Sequence, residues 1–163
     1  MGSTIVRIES VEIKNFKNVE HGHLDFENSK KGSSASILGL YGQNGSGKTA
    51  LIDALQLLRL ALSGRTIPAY FADYINVNSE FATLKYGFKV SNTEINCVYS
   101  AFYEVNLRCD IDNAEHNTEQ PSMDRSYKVA LFDEVLSYSY ECEERKQRLS
   151  LMIDTRKAEN DVF

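Results

Sequence analysis

From Ile5 to Phe16 apolar and polar positions alternate for much of the run. Ile5, Arg7, Glu9, Val11 and Ile13 fall on one side; Val6, Ile8, Glu12, Lys14 and Phe16 fall on the other. This period of two predicts a strand. Val19–Glu27 reads as a second strand, with Leu24 and Phe26 on one face, and the polar Asn28–Ser34 reads as a turn. Ala35–Tyr41 (ASILGLY) is apolar except for Ser36, the pattern of a strand buried on both faces of a central sheet. Gly42–Gly47 is then a loop, and Lys48–Ser63 a helix stopped by Gly64. Leu51, Ile52, Ala54, Leu55, Leu57, Leu58, Ala61 and Leu62 cover most of its circumference, which predicts burial on most sides.

Past Gly64 the pattern turns to β. Thr66–Asn78 is mixed and aromatic, with a turn at Pro68. Leu84–Val90 alternates, Asn92–Glu94 is a turn, and Ile95–Leu107 is a long β-rich run. The polar Asp110–Arg125 reads as a loop or insertion. Leu136, Tyr138, Tyr140 and Cys142 alternate with Ser137, Ser139, Glu141 and Glu143; Glu144–Lys146 then turns the chain into Leu149, Leu151 and Ile153, a hairpin pattern. The alternating tyrosines and phenylalanines are therefore expected in the core. No internal repeat is present. Residues 1–65 form a lobe of two strands, a central strand and a helix. Residues 66–163 form a mostly antiparallel region of the same domain, expected to be truncated at its C-terminus because no closing element follows Arg156.

Composition narrows the class. The 163 residues suit one domain, and 42% hydrophobic with 25% charged residues is a globular balance. The net charge is −5, whereas a fragment that grips a nucleic-acid backbone alone is usually basic; DNA contact is thus expected only through other parts or a local patch. Cys97, Cys109 and Cys142 are odd in number and lack C-x-x-C spacing, which argues for reduced thiols rather than a disulfide framework or zinc site. The N-terminus has no continuous apolar stretch of the signal-peptide kind, and no run is long enough to span a bilayer. The expectation is a cytoplasmic protein with no membrane partner.

Gly42-Gln43-Asn44-Gly45-Ser46-Gly47-Lys48-Thr49 matches G-x-x-x-x-G-K-(S/T), between an apolar run and a helix as this motif requires. Glycines without Cβ let a loop wrap tightly and turn backbone N–H groups toward phosphate oxygens. The helix beginning at Lys48 directs its free N–H groups and positive dipole end at the same anion. Lys48 is then the residue to reach the β- and γ-phosphates, and the Thr49 hydroxyl to ligate Mg²⁺. ATP, or another purine nucleoside triphosphate, and Mg²⁺ are the expected cofactors. A simple glycine-rich helix cap would need no Gly-Lys-Thr triplet.

The stretches Ile13-Lys14-Asn15-Phe16-Lys17 and Gly42 through Leu55 resemble the start of ABC-type ATPase heads, the group of the SMC, RecF and OLD families and the AAA-type ATPases of abortive-infection systems. The likeness covers about the first third of the chain; LKYGFKV and DEVLSYSYECEE are similar, more loosely, to the antiparallel β-insert of that group. It implies an α/β P-loop NTPase lobe of ABC-ATPase type with a substantial antiparallel insert. It also implies a C-terminal ATPase lobe of the same protein, a second head that completes the site in an ATP-dependent dimer, and a role in DNA repair or phage defence. No Q-loop, signature or switch residue is assignable; Leu62-Ser63-Gly64 reads as a helix stop.

Val129–Glu134 offers a rival, an apolar run followed by Asp133 and Glu134 in the Walker B form. Asp133 would then hold Mg²⁺ through water and Glu134 would polarise the attacking water, making a self-sufficient NTPase. Against it, the alternation runs on through Cys142, whereas a Walker B strand should end near its carboxylates. A third reading is a nucleotide-binding interaction module without turnover. His21 and His23 share a strand face but lack a third metal ligand nearby, so an exposed polar face is expected. Lys14, Lys17, Lys30 and Lys31 read as solvated surface before they read as a nucleotide or DNA contact, and Arg59 and Arg65 as structurally paired.

Overall fold

In the computed structural model, the residues described are 4–26, 39–92, 97–111, 127–142 and 145–156. Strands β1 (Thr4–Phe16) and β2 (Val19–Asp25) precede helix α1 (Lys48–Leu62). A 3-10 helix (Ala69–Tyr74) leads into β3 (Phe81–Asn92), β4 (Cys97–Ile111), β5 (Tyr127–Cys142) and β6 (Arg145–Asp154). The strands form one sheet in the order β2-β1-β3-β4-β5-β6, antiparallel at every pairing. The expected α/β class with extensive antiparallel structure is observed, and β1 pairs directly with β3 across the residue-65 boundary.

One face of this sheet is apolar. Val11 and Ile13 lie beside Tyr86 and Leu84 of β3, which lie in turn beside Tyr103 and Val105 of β4. Ala82 and Leu107 extend the row. Helix α1 covers it with Ala50, Leu51, Ala54, Leu57 and Leu58, and all of these side chains are buried. The 3.6-residue stripe of the helix thus meets the two-residue alternation of three neighbouring strands. The Tyr86 hydroxyl, inside this contact, donates to the Ala54 carbonyl at 2.7 Å. Its ring stacks with that of Tyr103, and both lie in the core as expected of the alternating aromatics, whereas Phe102 and Phe81 are exposed because they fall outside the area that α1 covers.

Two breaks in β1 revise the strict alternation read from the sequence. The register shifts between Ile8 and Ser10, which leaves Glu9 as an extra residue opposite β3. Such a bulge exchanges the faces beyond it. Ile8 therefore packs against the same core as Val11 and Ile13 instead of opposite them. At the other end Asn15 is left-handed, with φ 53°, and swings Phe16 into the core at 0% exposure.

Two further expectations are corrected. Ile52 and Leu62 of α1 are 56% and 63% exposed, because among the described residues the helix packs against a single sheet face. Of the central strand expected at Ala35–Tyr41, residues 35–38 lie outside the described residues. Residues 39–41 are not a strand, and Leu40 and Tyr41 are exposed. An apolar run is buried on both faces only where other layers cover both faces of its sheet, and at Leu40 and Tyr41 nothing among the described residues does so. The turn expected at Asn28–Ser34 and the body of the 110–125 loop also lie outside the described residues. Of the turn expected at Asn92–Glu94, Asn92 ends β3 and residues 93–94 lie outside them; of that expected at Glu144–Lys146, Glu144 lies outside them, while Arg145 and Lys146 already belong to β6.

The end of α1 follows its sequence. Gly64 is left-handed (φ 63°); its N–H donates to the Ala61 carbonyl and that of Arg65 to the Leu60 carbonyl, each at 3.1 Å. This paired closure satisfies the last helical carbonyls.

On the outer face Glu12, Lys85 and Glu104 occupy adjacent positions on three strands, and Lys85 pairs with Glu104 at 3.2 Å. Burial opposes ionisation of Glu12, but Lys85, His21 and Lys14 outweigh it and hold its pKa below the ordinary value.

Tyr103 gives the fold a pH dependence. Burial, then the charge and hydrogen bond of Glu134, push its pKa from 10.0 up to about 12. The folded state therefore retains a proton that the unfolded chain releases. The associated stability is intact below pH 10 and lost as pH rises toward 12. Urea denaturation should show stability falling above about pH 10, with a shallower fall in Tyr103→Phe.

Candidate functional site

The loop Gly42–Gly47 joins the exposed residues 39–41 to the first turn of α1. Gly45 and Gly47 have φ of 85° and 87°, left-handed angles that side-chain-bearing residues adopt at a cost. A Cβ on Gly42 would meet Ser46 Oγ at 2.7 Å, and one on Gly47 would meet Val19 Cγ2 at 3.0 Å. The glycines therefore permit both the turn and the close approach of β2. Gly47 occupies the N-cap position, and no side chain caps the helix, so its first N–H groups face outward. This is the arrangement that favours an anion at a helix N-terminus.

Lys48 curls back over the loop. Its ammonium donates to the Gly42 and Gln43 carbonyls, each at 2.7 Å, and to Ser46 Oγ at 3.1 Å. The cation thus sits over the concave side of the loop on a flexible stem, among acceptors that phosphate oxygens can replace. Thr49, one residue on, is exposed at the same helix end. Gln43, Asn44 and Ser46 are exposed along the rim. A groove of about 330 Å³ runs from Ser46, Gly47 and Lys48 along β1 and β2, walled by Val11, Ile13, Val19, Leu24, Leu51 and Tyr41 among others.

The β1–β2 turn reaches this loop from below. The Asn18 side-chain amide donates to the Gly45 carbonyl. Lys17 forms a half-buried ion pair with Asp53 of α1, and its ammonium lies 4.1 Å from the centre of the Tyr74 ring. Lys17 is therefore not the solvated surface residue expected, because the left-handed turn aims it at the helix (φ 55°). Sequence reasoning missed Asn18 and Asp53 as parts of this site. The only hint was that Asn15-Phe16-Lys17 and the helix motif belong to one resemblance.

Asp133 and Glu134 lie elsewhere. They sit inside β5, where these two residues oppose the single Val105 of β4, a bulge with Asp133 left-handed (φ 52°). Asn106 donates to Asp133 at 3.3 Å, the Tyr103 hydroxyl bonds Glu134, and the Glu134 N–H donates to Thr155 Oγ1 at 2.7 Å. β5 is three strand spacings from β1, roughly 14 Å across the sheet. The structure thus brings Gly42–Thr49 together with the β1–β2 turn and leaves Asp133 and Glu134 in a separate network.

The weaker candidates are placed as well. His21 and His23 are exposed beside Glu12 and Asp25, and no metal-binding group of His, Cys, Asp or Glu occurs among the described residues. Arg59 and Arg65 are exposed and form no ion pair among the described residues, so the structural pairing expected of them is not seen. Lys30 and Lys31 lie outside those residues. Cys109 is a free thiol. No described helix is long and apolar enough to cross a membrane.

The packing at Gly47 gives a direct test. Gly47→Ala adds a Cβ against Val19 at a left-handed φ, and should cost about 1 kcal/mol or more of stability in urea denaturation. Gly45→Ala, whose Cβ would meet nothing within 4 Å, bears only the backbone cost and should be milder.

Comparison with known proteins places the chain in a family. The profile of the AAA_23 family, described as an AAA domain, matches residues 10–161. A DNA replication and repair protein RecF of Azobacteroides pseudotrichonymphae is 42% identical over 77 residues, 47% of this chain and 19% of the relative. A DNA replication and repair protein RecF of Chlorobaculum tepidum is 31% identical over 100 residues, 58% of this chain and 24% of the relative. The chain thus spans a quarter or less of the length of these relatives. No solved structure matches. The resemblance to the SMC/RecF-like ABC-type ATPases is borne out, and the chain belongs to the AAA_23 family of AAA domains.

Proposed function

We propose that this chain is the ATP-binding lobe of an ABC-type ATPase head, with Gly42–Thr49 as its phosphate-binding loop. One observation carries the reading: two left-handed glycines and an uncapped helix N-terminus converge where Lys48 and Thr49 emerge. The residues fit the cofactor, since a Cβ on Gly42 would crowd Ser46 Oγ and meet the Lys48 ammonium within the loop. Backbone N–H groups of the loop would hold the phosphates, Lys48 would neutralise the β- and γ-oxygens, and Thr49 would take Mg²⁺. Bound Mg²⁺ would draw charge from the phosphates. The groove beside Lys48 offers room for the remainder of the nucleotide.

Hydrolysis in this reading needs a C-terminal lobe of the same protein and a second head, so that ATP joins two heads and its loss parts them. DNA repair or phage defence is the proposed setting, by analogy with the relatives named as replication and repair proteins. DNA would be met through other parts, given the net charge of −5. A self-sufficient NTPase using Asp133 and Glu134 is the second reading. Their place inside a continuing strand, bonded to Asn106, Tyr103 and Thr155, favours the first.

Lys48→Ala should weaken binding of a labelled ATP analogue by roughly tenfold or more while circular dichroism stays unchanged, since a charged hydrogen-bonding partner of the phosphates is lost. Equal affinity in the variant would remove the loop from the site. Steady-state ATPase assays then separate the readings: binding without turnover fits the lobe, or an interaction module. Turnover abolished by Glu134→Gln, with ATP trapped, would establish the self-sufficient enzyme instead.

A further inference from the structure

The turn Asn15–Asn18 touches each part of the nucleotide loop's support. Asn15 and Lys17 both hold left-handed backbone angles without being glycine, at φ 53° and 55°. Two such residues in one short turn store strain that the surroundings must maintain, and such strain gathers where a side chain has to be aimed. The surroundings here are explicit. The Lys17 N–H donates to the Tyr74 carbonyl at 2.5 Å, the Asn76 N–H donates to the Asn15 carbonyl at 2.9 Å, and Phe16 bridges to Ile75. The Phe16 ring is fully buried, edge-on to Tyr74 at 5.6 Å. The segment 74–76 thus clamps the turn from one side.

From its other side the turn projects two polar side chains at the loop and helix. Asn18 donates to the Gly45 carbonyl, at the left-handed apex of the loop. Lys17 pairs with Asp53, in the second turn of α1, and is covered by the Tyr74 ring. A carbonyl held from outside the loop cannot turn inward, where it would oppose a phosphate. A helix tethered at Asp53 keeps its N-terminal N–H groups at a fixed angle to the loop. We propose that Asn18 and Lys17 are positioning residues that pre-set the phosphate-binding loop, Asn18 by orienting the Gly45 peptide and Lys17 by fixing α1. The proposal rests on the ATP-binding reading of Gly42–Thr49. It assigns neither residue a contact with the nucleotide.

Three substitutions in the full chain test it: Asn18→Ala removes the donor, Asn18→Asp replaces it with an acceptor, and Lys17→Met keeps the stem and removes the charge. Amide hydrogen exchange without nucleotide should quicken at residues 43–47 in Asn18→Ala and further in Asn18→Asp, whose carboxylate repels the Gly45 carbonyl. Lys17→Met should quicken exchange at the start of α1. Affinity for a non-hydrolysable ATP analogue should fall about three- to tenfold in Asn18→Ala, the loss of a hydrogen bond's worth of pre-organisation, with the melting temperature unchanged. Unchanged exchange at 43–47 in both Asn18 variants overturns the proposal. So does a uniform rise along the chain with a lowered melting temperature, which marks a merely structural turn. A wild-type chain that binds no ATP analogue overturns the ATP reading instead, and exchange at 43–47 still decides the role of Asn18.

Discussion

Helix α1 lies on the apolar rows of β1, β3 and β4, and the site depends on where that contact puts its N-terminus. Ala50 and Ala54 are both fully buried, and their small side chains allow the helix to approach the sheet closely. Leu57 and Leu58 continue the contact toward the C-terminal end. Tyr86 adds direction to a contact that is otherwise non-directional, because its hydroxyl has one acceptor, the Ala54 carbonyl, in a buried setting where an unpaired hydroxyl is costly. A hydrophobic interface tolerates sliding by a fraction of a turn; a buried hydrogen bond and the Lys17–Asp53 pair do not. The position of Lys48 and Thr49 therefore follows from residues well inside the fold.

The two faces of the sheet divide the work. The helix face carries the packing, while the outer face is crossed by Glu12, Lys85 and Glu104 and by ion pairs such as Lys89–Glu9 at 3.2 Å. These pairs are exposed enough that each contributes little to stability, on the order of 1 kcal/mol or less. Their effect is on register. Opposite charges in neighbouring strands favour this alignment over a slip by one residue, which would turn the charges into the core.

The elements were largely legible because each follows one period. β1, β2, β3, β4 and α1 lie within a few residues of the expected limits, and Gly64 ended the helix through its left-handed closure; β5 begins at Tyr127, nine residues before the hairpin alternation expected from Leu136, and β6 begins inside the expected turn. Less legible were the places where a backbone break changes which face a residue occupies. Glu9 bulges and Asn15 turns left-handed, so Ile8 and Phe16 join the core of Val11 and Ile13; alternation alone puts them opposite. Nothing around Asp133 signals a bulge. The helix was misjudged for a different reason: Ile52 and Leu62 are as apolar as Leu57, so composition gives an all-round apolar surface while burial depends on what surrounds it.

The candidate site was legible to a similar extent and for a similar reason. Gly42–Thr49 is local, so spacing alone reveals it, and the glycines at 45 and 47 adopt the angles that explain their presence. Its supports are not local. Asn18 and Gly45 are 27 positions apart, Lys17 and Asp53 are 36 apart, and Tyr86 reaches Ala54 across 32. No periodicity connects such pairs; only the pairing of β1 with both β2 and β3 under α1 brings them together. A motif match therefore identifies the atoms that would meet a phosphate, and the sheet order determines what holds them in place. Asn18 is exposed and, by composition, an ordinary turn residue, which is why its place beneath the loop emerges only from the fold.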